Sequence, residues 1–124
     1  MQIKYRDGLL FVSIKLVYQG RSKVIDNMVI DTGAAKTLIS QNAVDDIDLR
    51  VESGDHIVTY YGIGGKEHAY TKQVDSIHIG SLQLKDRKLD FSGMDYEGID
   101  GLLGLDVLLD AGFIIDLKKL EMYR

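Results

Sequence analysis

The sequence predicts a mostly β, closed and barrel-like domain with one or two short helices. Short runs rich in Val, Ile, Leu and Tyr recur along the chain. They are punctuated by glycine, present 13 times, and never by proline, which is absent. The helix-like segments are brief. With 124 residues the chain is long enough for one real core and too short for two ordinary ones. No linker, repeat or low-complexity segment divides it, so residues 1–124 read as a single domain.

The elements follow in order. Leu9 to Tyr18 is β-rich and partly alternating, hence a strand. Gln19-Gly20-Arg21-Ser22 is a turn, and Lys23 to Ile30 is the next strand, ending at Asp31. Thr37-Leu38-Ile39 is a short strand, and Ser40 is placed to cap a short helix over Gln41 to Asp46. His56 to Tyr61 and Glu67 to Thr71 flank Gly62-Ile63-Gly64-Gly65 and make a hairpin. Val74 to Ile79, Leu82 to Leu84 and Lys88 to Phe91 read as separate short strands. Leu102-Leu103 followed by Gly104 reads as a buried strand making a close backbone contact before a helix over Leu105 to Ala111. Phe113 to Leu117 and Leu120 to Tyr123 supply one or two terminal strands.

Hydrophobic residues make up 45% and charged residues 27%, the balance of a soluble globular protein. A net charge of -4 and the lack of a basic stripe argue against nucleic acid as a partner. No apolar stretch approaches the length of a membrane span, and Met1 to Gly8 lacks a signal-peptide core. Cysteine is absent, which removes disulfides, thiolate metal sites and a Cys nucleophile, and fits a reducing, cytoplasmic setting. His56, His68 and His78 lack metal-ligand spacing, and neither metal nor cofactor is expected. Asp95, Glu97 and Asp100 fit no calcium loop and read as a solvated acidic loop.

Chemistry concentrates at Asp31-Thr32-Gly33, a triplet that occurs once. Val29-Ile30 ahead of it places a carboxylate on a tight glycine turn at the mouth of a buried strand, where a water can be held and polarised. Ala34-Ala35 behind it is small and leaves room for a substrate backbone. In isolation the triplet fits an ordinary β-turn equally well. Tyr60 to Gly65 fits neither a phosphate loop nor a dinucleotide fingerprint and remains a hairpin able to bend over a ligand. Asp106 reads as a brace for the helix start.

Together, Asp31-Thr32-Gly33-Ala34, Gly62-Ile63-Gly64-Gly65 and Leu102-Leu103-Gly104 resemble the retropepsin family, the single-domain aspartic proteases of retroviruses and their cellular relatives. The resemblance runs from about Val29 to Asp116. It implies an acid-protease fold with a flap hairpin and an endopeptidase that needs no cofactor or metal. Asp31 would be the catalytic carboxylate, Thr32 would tie the two active-site loops together across a dimer, and Gly33 would accept the substrate backbone. Ala34, Gly62, Ile63, Gly64 and Gly65 would contact the bound peptide. A homodimer is implied because no second Asp-Thr-Gly or Asp-Ser-Gly exists; Asp100-Gly101 lacks the hydroxyl residue. Viral members often pair an acidic residue after the signature Ala with an Arg after the later Gly. Ala35 and Leu105 stand there instead, a coherent exchange of an ion pair for apolar packing. Two other readings compete: a non-catalytic peptide-binding or dimerisation module on the same fold, and a small β-barrel ligand binder with an incidental Asp-Thr-Gly.

Overall fold

The computed structural model describes residues 1–62 and 65–124. Its strands are β1 (Lys4–Arg6), β2 (Leu9–Tyr18), β3 (Arg21–Ile30), β4 (Leu38–Ser40), β5 (Ile57–Gly62), β6 (Gly65–Ile79), β7 (Leu82–Ser92), β8 (Gly101–Leu103), β9 (Ile114–Asp116) and β10 (Glu121–Tyr123), with one α-helix, α1 (Leu105–Ala111). Hydrogen bonding runs β2-β3-β8-β4-β7-β6, and β6 returns to β2 through Leu16↔Ile77 and its neighbours. The ring is barrel-like, with β1 and β5 attached outside it. The expected mostly β, barrel-like fold is what forms.

Strand β2 shows why. Ile14, Leu16 and Tyr18 are buried while Ser13 and Lys15 are exposed, the period of two that a one-faced strand requires. In β3, Ile25 and Met28 both reach the core although three residues apart. A register shift makes this possible: Val12 pairs with Met28 but Ile14 pairs with Ile25. The extra residue on β3 resets its facing. Phe11, out of phase with Val12, is covered by the Arg6 guanidinium 4.0 Å from its ring centre. Inside the ring Ile14, Leu16, Met28, Ile39, Phe91, Leu103 and Val107 form one continuous core.

Several elements depart from expectation. The turn after β2 shrinks to Gln19-Gly20, both at positive φ, because the Asp75 carboxylate accepts both of their N–H groups at 3.1 and 2.9 Å. The helix over Gln41 to Asp46 is replaced by two 3₁₀ turns, Gln41–Ala43 and Asp45–Ile47. Ser40 is not their cap: it is buried, and its hydroxyl donates to the Met94 carbonyl at 3.0 Å. The short strands after the hairpin fuse into two long ones, β6 and β7, continuous across Lys72↔Leu89 and Gln73↔Lys88. The polar residues there are one face of a sheet rather than a break. Asp100 is half-buried, not solvated: its carboxylate accepts from the Asn27 backbone N–H at 3.3 Å and side-chain amide at 3.1 Å. Strand β1 lacks any apolar signal, since all three of its residues are exposed.

At the far end β9 and β10 pair antiparallel. Residues 1–3 lie along β10 of the same chain: Met1 accepts from Met122 N–H at 2.9 Å, and Ile3 N–H donates to Leu120 at 2.8 Å. Among the described residues no helix is long and apolar enough to cross a membrane.

Candidate active site

Parallel pairing of β3 with β8 delivers Asp31. Val29 pairs with Leu102 and Ile30 with Leu103, and the Asp31 N–H donates to the Leu103 carbonyl at 3.0 Å. The chain then turns: Ala34 N–H donates to the Asp31 carbonyl at 3.1 Å, and Gly33 N–H donates to Asp31 Oδ1 at 2.9 Å. One carboxylate oxygen is thus held by the backbone of its own turn. A Cβ on Gly33 would lie 3.2 Å from that oxygen, so glycine keeps the carboxylate face uncrowded. Asp31 and Ala34 are half-buried, whereas Thr32 and Gly33 are exposed.

The rest of the loop is fastened to the start of α1. Leu105 N–H donates to the Ala34 carbonyl at 2.8 Å and Asp106 N–H to the Ala35 carbonyl at 3.2 Å. Asp106 Oδ1 accepts from the Thr37 N–H at 3.0 Å, the Thr37 hydroxyl at 2.7 Å and the Val107 N–H at 2.9 Å. The Thr37 hydroxyl oxygen accepts in turn from the buried Gly104 N–H at 3.0 Å. Asp106 is therefore the brace expected of it. Its partner Thr37 carries no sequence signal, because nothing local joins positions 69 residues apart. Thr37→Val is expected to cost about 1–3 kcal/mol by orphaning the Gly104 N–H, with Thr37→Ser retaining most of the stability. Urea unfolding checks this, and a Val variant as stable as wild type would refute the brace.

An apolar cavity of about 350 Å³ adjoins Asp31. Val29, Ile30, Met94, Ile99 and Leu102 are among its walls. The segment between β7 and β8 supplies Met94 and Ile99 and is tied down at both ends. Ser40 holds the Met94 carbonyl, and Arg6 donates to the Gly98 carbonyl at 2.9 Å. The sequence does not mark these wall residues, since a loop with one Met and one Ile carries no periodic signal.

The hairpin of β5 and β6 pairs through Tyr60↔Glu67 and Gly62↔Gly65. Ile63 and Gly64, expected at its tip, lie outside the described residues. At its base the Tyr60 hydroxyl donates to the buried Asp90 carboxylate, which also accepts from the Thr71 hydroxyl at 2.6 Å. Burial, then the hydrogen bond to Asp90 and that group's charge, pushes the Tyr60 phenol well above its ordinary value, so it stays a proton donor. Below it, buried Lys72 contacts Glu52 at 2.6 Å and Asp55 at 2.8 Å. Burial works against the ammonium, but the hydrogen bonds it donates to these two carboxylates outweigh it and hold Lys72 above the usual lysine range. Among the described residues no three His, Asp or Glu side chains converge as a metal site would require.

Residues 14–107 match the sequence pattern of the family described as Aspartyl protease. That span contains Asp31, the hairpin and Asp106. Comparison with curated proteins gives no match. Among solved structures, a retropepsin-like aspartic protease from Rickettsia conorii matches with a TM-score of 0.69 and 22% sequence identity, covering 97% of this chain and 93% of that one. With most of the chain matched and the Asp31 turn inside the matched span, the chain belongs to the aspartyl protease family and has a retropepsin-like fold.

Proposed function

We propose that this chain is an aspartic endopeptidase active as a homodimer, with residues 1–124 acting as one domain. The observation that supports this best is the setting of Asp31: a half-buried carboxylate with one oxygen fixed by Gly33, opening beside an apolar cavity. The chain carries one Asp-Thr-Gly, so the second carboxylate has to come from a second copy.

In a two-fold dimer a residue at the axis meets its own copy. Two Asp31 carboxylates a few ångströms apart share a proton, because like charges that close do not both ionise readily. The ionised member takes a proton from a shared water, which attacks the peptide carbonyl. The protonated member donates to the carbonyl oxygen, and a proton later reaches the leaving nitrogen. In this reading exposed Thr32 ties the two loops together, while Gly33 and Ala34 receive the substrate backbone. Gly62, Ile63, Gly64 and Gly65 close over the peptide and exclude bulk water. The apolar cavity favours apolar side chains beside the scissile bond.

The dimer has its own test. Specific activity per chain is expected to rise with protein concentration, in step with the dimer fraction from sedimentation equilibrium. Full activity at concentrations where only monomer sediments would overturn the shared site. Peptide binding without cleavage at any concentration would make the chain a binding module.

A further inference from the structure

We propose that a second pocket, formed where the loop after Asp31 meets strands β5 to β7, takes an acidic side chain of the peptide substrate. The proposal rests on the protease reading above and names a substrate class for it.

The pocket encloses about 230 Å³, with Lys36, His56 and Lys88 among its walls. Two carboxylates line it as well, Asp90 and Asp106; both oxygens of Asp90 and one of Asp106 are held by hydrogen bonds within the fold. Asp106 Oδ1 accepts from Thr37 and Val107, and Asp90 accepts from the Tyr60 and Thr71 hydroxyls. Lys36 and Lys88 are in the opposite condition. Both are exposed, and among the described residues neither forms an ion pair. Neither carboxylate pairs with these lysines, and the ammonium groups keep their charge for an incoming anion. On a chain of net charge -4, Lys36 and Lys88 bring the lining to balance against Asp90 and Asp106, so the pocket lacks the negative excess of the rest of the chain.

The pocket also neighbours the cavity beside Asp31. A small apolar cluster of Leu38, Ala69 and Met94 is packed against by Val58, Tyr60 and Ile99. Met94 and Ile99 belong to the cavity beside Asp31, and Val58 belongs to this second pocket. One buried cluster thus packs behind walls of both, which makes them neighbours. Lys36 stands on the same loop as Asp31. An extended peptide advances about 3.3 Å per residue, so a substrate with an apolar side chain in the first cavity presents another side chain to the second pocket a few residues away. Asp or Glu there meets Lys36 and Lys88, with the methylene stem over Val58.

The test uses peptides with a fixed apolar pair at the scissile bond. Gln, Glu or Lys is placed at one flanking position at a time. Wild-type protein is compared with the double variant Lys36→Glu/Lys88→Glu, whose fold is checked by circular dichroism and Tm. Binding of the same peptides to Asp31→Asn protein is measured by fluorescence anisotropy, so the subsite is read without cleavage. At one position, Glu is expected to raise kcat/KM over Gln about two- to fivefold, as for an ion pair between partly exposed groups. The double variant is expected to reverse the order and favour Lys. Cleavage without any charge preference, or a Glu preference that survives the reversal, overturns the subsite and leaves the protease reading standing. Charge-selective binding without cleavage by wild type upholds the subsite and overturns the protease reading. Neither binding nor cleavage overturns both.

Discussion

Asp31→Asn protein is expected to fold normally and cleave no peptide, with activity down by at least about 10⁴-fold, the upper range for loss of a general acid–base group. Asn nearly matches Asp in size, and its side-chain oxygen can still accept the Gly33 N–H that now holds Asp31 Oδ1 at 2.9 Å. The turn therefore survives. The missing component is an ionised oxygen able to take a proton from water. Wild-type cleavage belongs at acidic to mildly acidic pH, where the proposed pair retains a single proton. The assay is a broad peptide library from acidic to neutral pH, with both proteins side by side. Cleavage that persists in the Asn protein, or that chelators abolish, would place the chemistry elsewhere.

Gly104→Ala is expected to be among the most damaging single-methyl changes in the chain. The added Cβ would lie 2.6 Å from the Lys36 carbonyl carbon, 2.7 Å from its oxygen and 2.8 Å from the Ala34 carbonyl oxygen. All three are backbone atoms, so no flexible side chain can yield. Overpacking of this kind costs about 3 kcal/mol or more, or roughly 10 °C in Tm for a chain of this size. Activity should fall further than stability alone explains, because the displaced backbone belongs to the loop that carries Asp31. Gly93→Ala is the control: a Cβ there meets nothing within 4 Å. Equal Tm values for the two variants would show that the loop does not rest on Gly104.

Much of this was legible in the sequence, for identifiable reasons. Strand β2 and helix α1 were placed at their observed limits because periodicity and glycine punctuation are local signals. Gly104 was marked as a close backbone contact, and its crowded surroundings bear that out. The family itself was visible from three short motifs in order. Other features are legible only in three dimensions. The hydrogen bonds joining Thr37 to Asp106 and Tyr60 to Asp90 connect residues 69 and 30 positions apart. The unity of β6 and β7 was hidden for a related reason. A polar residue in mid-strand looks like a loop until its neighbour across the ladder is known.

The pairing of β3 with β8 also has a consequence in time. Asp31 emerges early in synthesis, but the Leu103 carbonyl that receives its N–H, and the Gly104 and Asp106 that anchor its loop, come some 70 residues later. Parallel strands so distant along the chain form slowly, since loop closure has to precede any gain from contact. A ribosome-bound fragment that stops short of β8 holds the Asp-Thr-Gly triplet without the architecture that shapes it. Whatever this carboxylate does, it does only after the last third of the molecule has arrived.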